Sequence, residues 1–163
     1  MKRRTLNLGC GVRDKWGTDR LDWETYGQKD IVKFNLNSKK KLPYKDNTFN
    51  EIKFGYVIQV LLYPQEVLEE CYRILKVGGT LNITFPDYES LFYFLFPIRD
   101  HPVRFGESHL NNGKTYGIWN MNMMINRLES AGFKIKKTSK YGRAFTNLFL
   151  SNPAILIICE KEK

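Results

Sequence analysis

The sequence predicts an α/β fold built on a mostly parallel sheet. Three observations carry that expectation. Short extended runs rich in apolar and β-branched residues alternate with a helical apolar pattern. The first run, TLNL, stops abruptly at Gly9-Cys10-Gly11. A late run, AILIICE at residues 154–160, is continuously apolar, as a strand buried within a sheet should be.

Taken in order, residues 5–8 form the first strand and the glycine turn ends it. Residues 17–21 are a brief second strand, and residues 30–35 (DIVKFN) a third. LPYKDNT at 42–48 is turn chemistry, and FNEIKFGYVIQ at 49–59 is a fourth strand running out near Val57. Pro64 suits the first turn of a helix, where its missing N–H has no partner to lose. Val67, Leu68, Cys71 and Leu75 recur at helical spacing, Lys76 falls in the last turn, and Gly78-Gly79 is read as the cap. TLNITF at 80–85 is the fifth strand, closed by Pro86-Asp87. The aromatic stretch at 88–97 starts as a helix, and 99–119 is a long polar connection of the functional kind. Met121, Met124, Ile125 and Leu128 mark another helix, ended by Gly132. FKIKKT at 133–138 alternates as a strand before the AILIICE run.

Only about nine residues separate the first strand from the second, whereas a parallel crossover takes a dozen or more. The helix after the first strand is therefore expected to be missing or cut to one turn. Alternatively, the second strand begins later.

With 163 residues, 42% hydrophobic and 26% charged, the chain reads as one folded domain over 1–163. No apolar run reaches the ~18 residues of a spanning helix, and the N-terminus lacks the apolar core of a signal peptide. Three scattered cysteines and two histidines make a structural zinc site improbable and fit a cytoplasmic setting. The net charge of +9 raises anionic partners, RNA included, although the basic residues are dispersed enough to be ordinary solvated surface.

In parallel sheets, ligands sit outside the carboxyl ends of the strands. Those ends carry Gly9 and Gly11, Asp19, Asn35, Tyr56 and Pro86-Asp87, so several loops converge on one crevice. Glycines after the first strand let a ligand approach the backbone, and an acid at the end of the second can accept ribose hydroxyls. The glycine pair alone is weak evidence. The ordered set LNLGCG, an Asp, LPYKDNTFNEI and VLEECYRILKVGGTLNITFPD resembles the class I S-adenosylmethionine-dependent methyltransferases, in particular the small-molecule group often called type 11. ESAGF at 129–133 extends the resemblance, which covers about residues 5–160.

The resemblance implies a Rossmann-like class I methyltransferase fold, with seven strands in the order 3-2-1-4-5-7-6 and the seventh antiparallel. It implies S-adenosyl-L-methionine as cofactor and S-adenosyl-L-homocysteine as product. Gly9, Cys10 and Gly11 would wrap the methionine end, Asp19 would hold the ribose, Asn35 and Leu36 would flank the adenine, and Tyr56 would sit near the methionine or the acceptor. Three departures stand out. The glycine loop is short, Asn35 replaces the family's Asp, and Ile58-Gln59-Val60 lacks the histidine common after the fourth strand.

Methyl transfer from a sulfonium needs alignment and exclusion of water, with a base only where the acceptor must lose a proton. His109 is the candidate base, with an ordinary loop histidine as its other reading. Tyr116 and Trp119 are candidate acceptor-positioning groups, and Asp87 is read chiefly as a helix cap. The LFYFLFP stretch at 91–97 reads as core and pocket wall, with a lid or a dimer face as the other uses. A small or exposed acceptor, small-molecule or glycan, is expected because no large substrate domain fits between residues 87 and 153. Two alternatives remain: a nicotinamide-binding Rossmann protein, disfavoured by the missing third glycine and first helix, and a degenerate domain that binds a cofactor or partner without catalysis.

Overall fold

The computed structural model describes residues 3–87, 117, 119–141 and 153–163. Seven strands form one sheet: β1 (Thr5–Leu8), β2 (Asp19–Asp22), β3 (Ile31–Lys33), β4 (Phe49–Gly55), β5 (Leu75–Pro86), β6 (Phe133–Tyr141) and β7 (Ala154–Lys161). Their spatial order is β3-β2-β1-β4-β5-β7-β6, the order the resemblance implies. Strands β1 to β5 pair in parallel, and β7 runs antiparallel to both β5 and β6. Two helices are described, α1 (Pro64–Ile74) between β4 and β5, and α2 (Met121–Ser130) before β6. Neither is long and apolar enough to cross a membrane.

No helix follows β1. Residues 9–18 carry the chain back to a parallel partner, with Leu6 opposite Asp19 and Leu8 opposite Leu21. The second strand also begins two residues later than the sequence pattern places it. Both devices offered for the short connection are in use.

The register sorts the sheet into two unlike faces. Leu6, Leu8, Leu21, Ile52, Phe54, Leu81, Ile83, Phe85, Ile155 and Ile157 are all fully buried on one face. Val67, Leu68, Cys71 and Ile74 of α1 and Met124 and Leu128 of α2 pack into the same core. Each such side chain contributes ~1.5–3 kcal/mol on burial. The opposite face is polar in the middle of the sheet, where Asn7, Lys53 and Asn82 lie side by side on β1, β4 and β5. Among the described residues, neither helix packs there.

The end of α1 differs from the sequence reading. The helix stops at Ile74, and Leu75 is already extended and paired with Phe49. Lys76, Gly78 and Gly79 therefore belong to β5, not to a helix cap. The pairing jumps from Phe49–Leu75 to Glu51–Thr80, so residues 76–79 bulge out. Gly78 takes φ +75°, and a Cβ on Gly79 would lie 2.8 Å from the Lys76 carbonyl oxygen, which is why glycines are needed. The last helical carbonyls find partners outside α1. Asn47 N–H donates to Arg73 O (3.1 Å), Thr48 N–H to Ile74 O (2.7 Å), and the Lys161 ammonium to Arg73 O (3.4 Å).

Candidate functional site

A pocket opens at the carboxyl ends of β1, β2 and β4. Its floor is the turn after β1. Gly9 has φ +71° and donates its N–H to Leu21 O (2.8 Å). A Cβ there would come within 2.3 Å of Val57 Cγ2, so the glycine is what lets the loop after β4 close over β1. Gly11, at φ +60°, has no atom within 4 Å of its Cβ position, leaving space above it. Cys10 does not line the pocket. Its thiol is buried beside the Arg20 guanidinium, and burial together with Asp22 pushes it above the ordinary cysteine range, which keeps it protonated.

The acid at the pocket is Asp22, at the very end of β2. Its Oδ2 accepts the Gly11 N–H (2.7 Å), and its Oδ1 accepts the Trp23 N–H (2.8 Å) and the Tyr26 hydroxyl (3.3 Å). Burial and Asp22 push the Tyr26 phenol up to about 12, so it stays a donor. Asp19, the acid the sequence reading assigned to ribose, is at the other end of the strand and does not line the pocket. It is held by a two-point bond from Arg4, with Nε 2.9 Å and Nη2 2.6 Å from the carboxylate, and by Thr18 Oγ1 at 2.8 Å. That Arg4 pairing, against the opposing effect of burial, keeps Asp19 below the usual carboxylate range. The misplacement has a simple cause: residues 19 and 22 are three apart, so in a strand they point to opposite faces.

The loop after β3 supplies the next wall. Asn35 caps the short 3-10 turn Leu36–Ser38, its side chain accepting the Asn37 N–H at 2.9 Å. Asn35 and Leu36 both line the pocket, together with Phe34. Asn37 ties this loop to the one after β4: its amide donates to Val60 O (3.3 Å) and its carbonyl accepts the Leu62 N–H (2.8 Å). Tyr56, also in the wall, sits at φ +56° with its N–H on Thr84 O (2.8 Å). A left-handed backbone at a tyrosine is strained by about 1 kcal/mol or more, and such strain gathers at functional sites. The buried Gln59 amide donates to Tyr56 O (2.8 Å) and holds the turn. Val57, Val60 and Leu61 make the wall apolar.

Gly9, Gly11, Asn35, Leu36 and Tyr56 thus meet at one cavity, and Cys10 and Asp19 do not. Asp22, Trp23 and Tyr26 line it and were missed. Their signal was available in Asp22, the last polar residue of DRLD before the turn residues WETYG. His109, Tyr116 and the 91–97 stretch lie outside the described residues. Trp119 is buried in the core with Arg127 over its ring at 4.9 Å, so it serves packing rather than the crevice. Asp87 is buried and bonded to Lys140 (3.0 Å).

A methyltransferase-domain family model matches residues 17–83. The ubiquinone/menaquinone biosynthesis C-methyltransferase UbiE of Neisseria gonorrhoeae is 37% identical over 67 residues, 41% of this chain and 26% of that protein. The Desulfotalea psychrophila UbiE is 29% identical over 105 residues, 57% of this chain and 43% of that one. The chain thus matches 26% and 43% of the length of these two relatives, less than half of either. The crystal structure of a SAM-dependent methyltransferase from Thermotoga maritima, titled a possible histamine N-methyltransferase, superposes with TM-score 0.68 at 17% identity, over 99% of this chain and 84% of that one. A putative methyltransferase of Haloferax volcanii, solved with its Trm112 activator, gives 0.68 at 15% identity, over 98% and 82%. Residues 17–83 match a methyltransferase domain, and the described chain has the class I methyltransferase fold. Within this methyltransferase fold the pocket lies at the switch point, where β1 is flanked by β2 on one side and β4 on the other.

Proposed function

We propose that the chain is an S-adenosylmethionine-dependent methyltransferase acting on a small molecule. The carrying observation is the juxtaposition of Gly9, Gly11 and Asp22 at the ends of β1 and β2, with Asn35, Leu36 and Tyr56 across the same cavity. A carboxylate offers about four acceptor positions, and three donors engage Asp22, which leaves room for a ribose hydroxyl. The open space above Gly11 suits a ligand passing close to the backbone. The residues present therefore fit the cofactor.

In this reading Asp22 holds the ribose and Asn35 and Leu36 border the adenine. The Asn35 carbonyl accepts the Asn37 N–H, which orients its amide group. Gly11 leaves room for the methionine end, Gly9 lets Val57 close in beside it, and Tyr56, fixed by Thr84 and Gln59, faces the reacting centre. The cofactor would supply an electrophilic methyl group on a sulfonium. The protein's task is alignment and exclusion of water by the Val57, Val60 and Leu61 wall. The names of the relatives, C-methyltransferases of quinone biosynthesis, make a quinone-type ring the first acceptor to assay.

Isothermal titration with S-adenosylmethionine, S-adenosylhomocysteine and NAD, followed by methyl transfer to demethylated quinols, tests this. Binding of both sulfur compounds and not NAD, with label appearing in the quinol, is expected. Binding without transfer to any acceptor would favour the non-catalytic alternative, and absence of sulfur-ligand binding would sink the proposal.

A further inference from the structure

The connection between β1 and β2 has no helix to shape it, only a turn at residues 11–13. Side chains hold it instead. Asp14 pairs with Lys53 of β4, and its other oxygen accepts the Trp16 N–H (3.0 Å). The Trp16 ring lies over the Lys53 ammonium at 6.0 Å. Val12 O accepts the Gln28 amide (2.9 Å), and Gln28 is in turn bonded by Arg20 (3.0 Å).

Lys53 is itself out of place. It lies mid-strand in β4, between β1 and β5, where a parallel sheet normally carries apolar residues on both faces. Its neighbour on β1 is Asn7, whose buried amide lies close enough to the same Asp14 carboxylate to help hold it below its ordinary range, after the larger effects of burial, which opposes this, and of Lys53. The two strands thus present a polar cradle to one carboxylate of the strap.

We propose that Asp14, Lys53 and Trp16 form a latch that replaces the missing helix, and that Lys53 is a positioning residue for the cofactor loop. The latch lies at one end of a short path. Gly11 is three residues from Asp14, and its N–H donates to Asp22, the proposed ribose ligand. Releasing the strap frees Gly11 and misdirects Asp22. This rests on the cofactor reading given above.

The test is titration of S-adenosylhomocysteine into Lys53→Met, Lys53→Arg, Asp14→Asn and the Asp14→Asn/Lys53→Met double variant. Lys53→Met and Asp14→Asn should each weaken binding by about fivefold, the upper reach of an ion pair whose partners are both more than a third exposed. The double variant should be no worse than either single, and Lys53→Arg should stay within about twofold of wild type. Salt should weaken wild-type binding and leave the variants unmoved. A general loss of stability would lower the melting temperature without this pattern. Asp14→Asn keeps the Trp16 bond and provides the readout if Lys53→Met does not fold. Wild-type affinity in both single variants overturns the latch. Hydrogen exchange at residues 11–17 separates the two ideas. If wild type binds no sulfur ligand, the cofactor reading fails, while faster exchange in Lys53→Met upholds the latch and unchanged exchange overturns it.

Discussion

Two aspartates three residues apart divide the labour of β2. Asp22 faces the pocket, and Asp19 is spent on Arg4 and Thr18 at the far end. Asp22→Ala should weaken S-adenosylhomocysteine binding by roughly ten- to a hundredfold, since hydrogen bonds to a charged group are worth ~1.5–3 kcal/mol. Asp19→Ala should leave that affinity unchanged and lower the melting temperature. Isothermal titration beside a thermal melt distinguishes the pair. The two glycines also separate. Gly9→Ala meets both a left-handed backbone and Val57 at 2.3 Å, whereas Gly11→Ala meets only the backbone term. Urea unfolding should show the first costing clearly more than the ~1 kcal/mol of the second. At this scale the sequence was legible where strand ends could be counted, which brought Gly9, Gly11, Asn35 and Tyr56 into view, while Leu36 came from the family resemblance. It was illegible in DRLD, because two acids fit one rule and only the pairing of Leu6 with Asp19 tells which end each occupies.

Among the elements, α1 and the strand after it show how a helix stop can be misread. VLEECYRILK has helical periodicity through Leu75, and Gly78-Gly79 makes a plausible cap. Tertiary pairing decides otherwise: Leu75 is needed opposite Phe49, so the helix ends at Ile74, before Lys76, and the glycines absorb the bulge. Gly79→Ala should therefore destabilise more than Gly78→Ala. Gly79 faces the Lys76 carbonyl, whereas the space at Gly78 is open and only its φ resists. Chemical denaturation of the two variants checks the order. Leu68→Ala, fully buried on α1, should cost ~2–5 kcal/mol as a cavity in the core.

Across the whole molecule, acid should be the sensitive axis. Asp14, Asp19 and Glu70 all sit below their ordinary carboxylate values; for Asp14 and Glu70, burial opposes the effect of Lys53 and Arg73. A depressed folded pKa contributes stability that is present above the unfolded value and lost as pH falls through the folded one. The urea midpoint should thus begin to drop near pH 4.5, the unfolded glutamate value, and continue down below 3.8, that of aspartate. A midpoint flat from pH 6 to 3 would contradict it. The mostly parallel sheet was legible from the alternation of runs, and the strand order from the family resemblance. The one-sided core was not. Period-two patterning in NEIKFG reports a polar face without telling whether water or a strap covers it.

Tyr56 carries a consequence for how such a domain can evolve. Its left-handed backbone opposes folding while the residue lines the pocket and its carbonyl anchors Gln59. Glycine would relax that conformation, so Tyr56→Gly should melt higher and bind or turn over ligand less well. Selection for thermal robustness alone would therefore favour glycine at this position at the expense of the pocket wall.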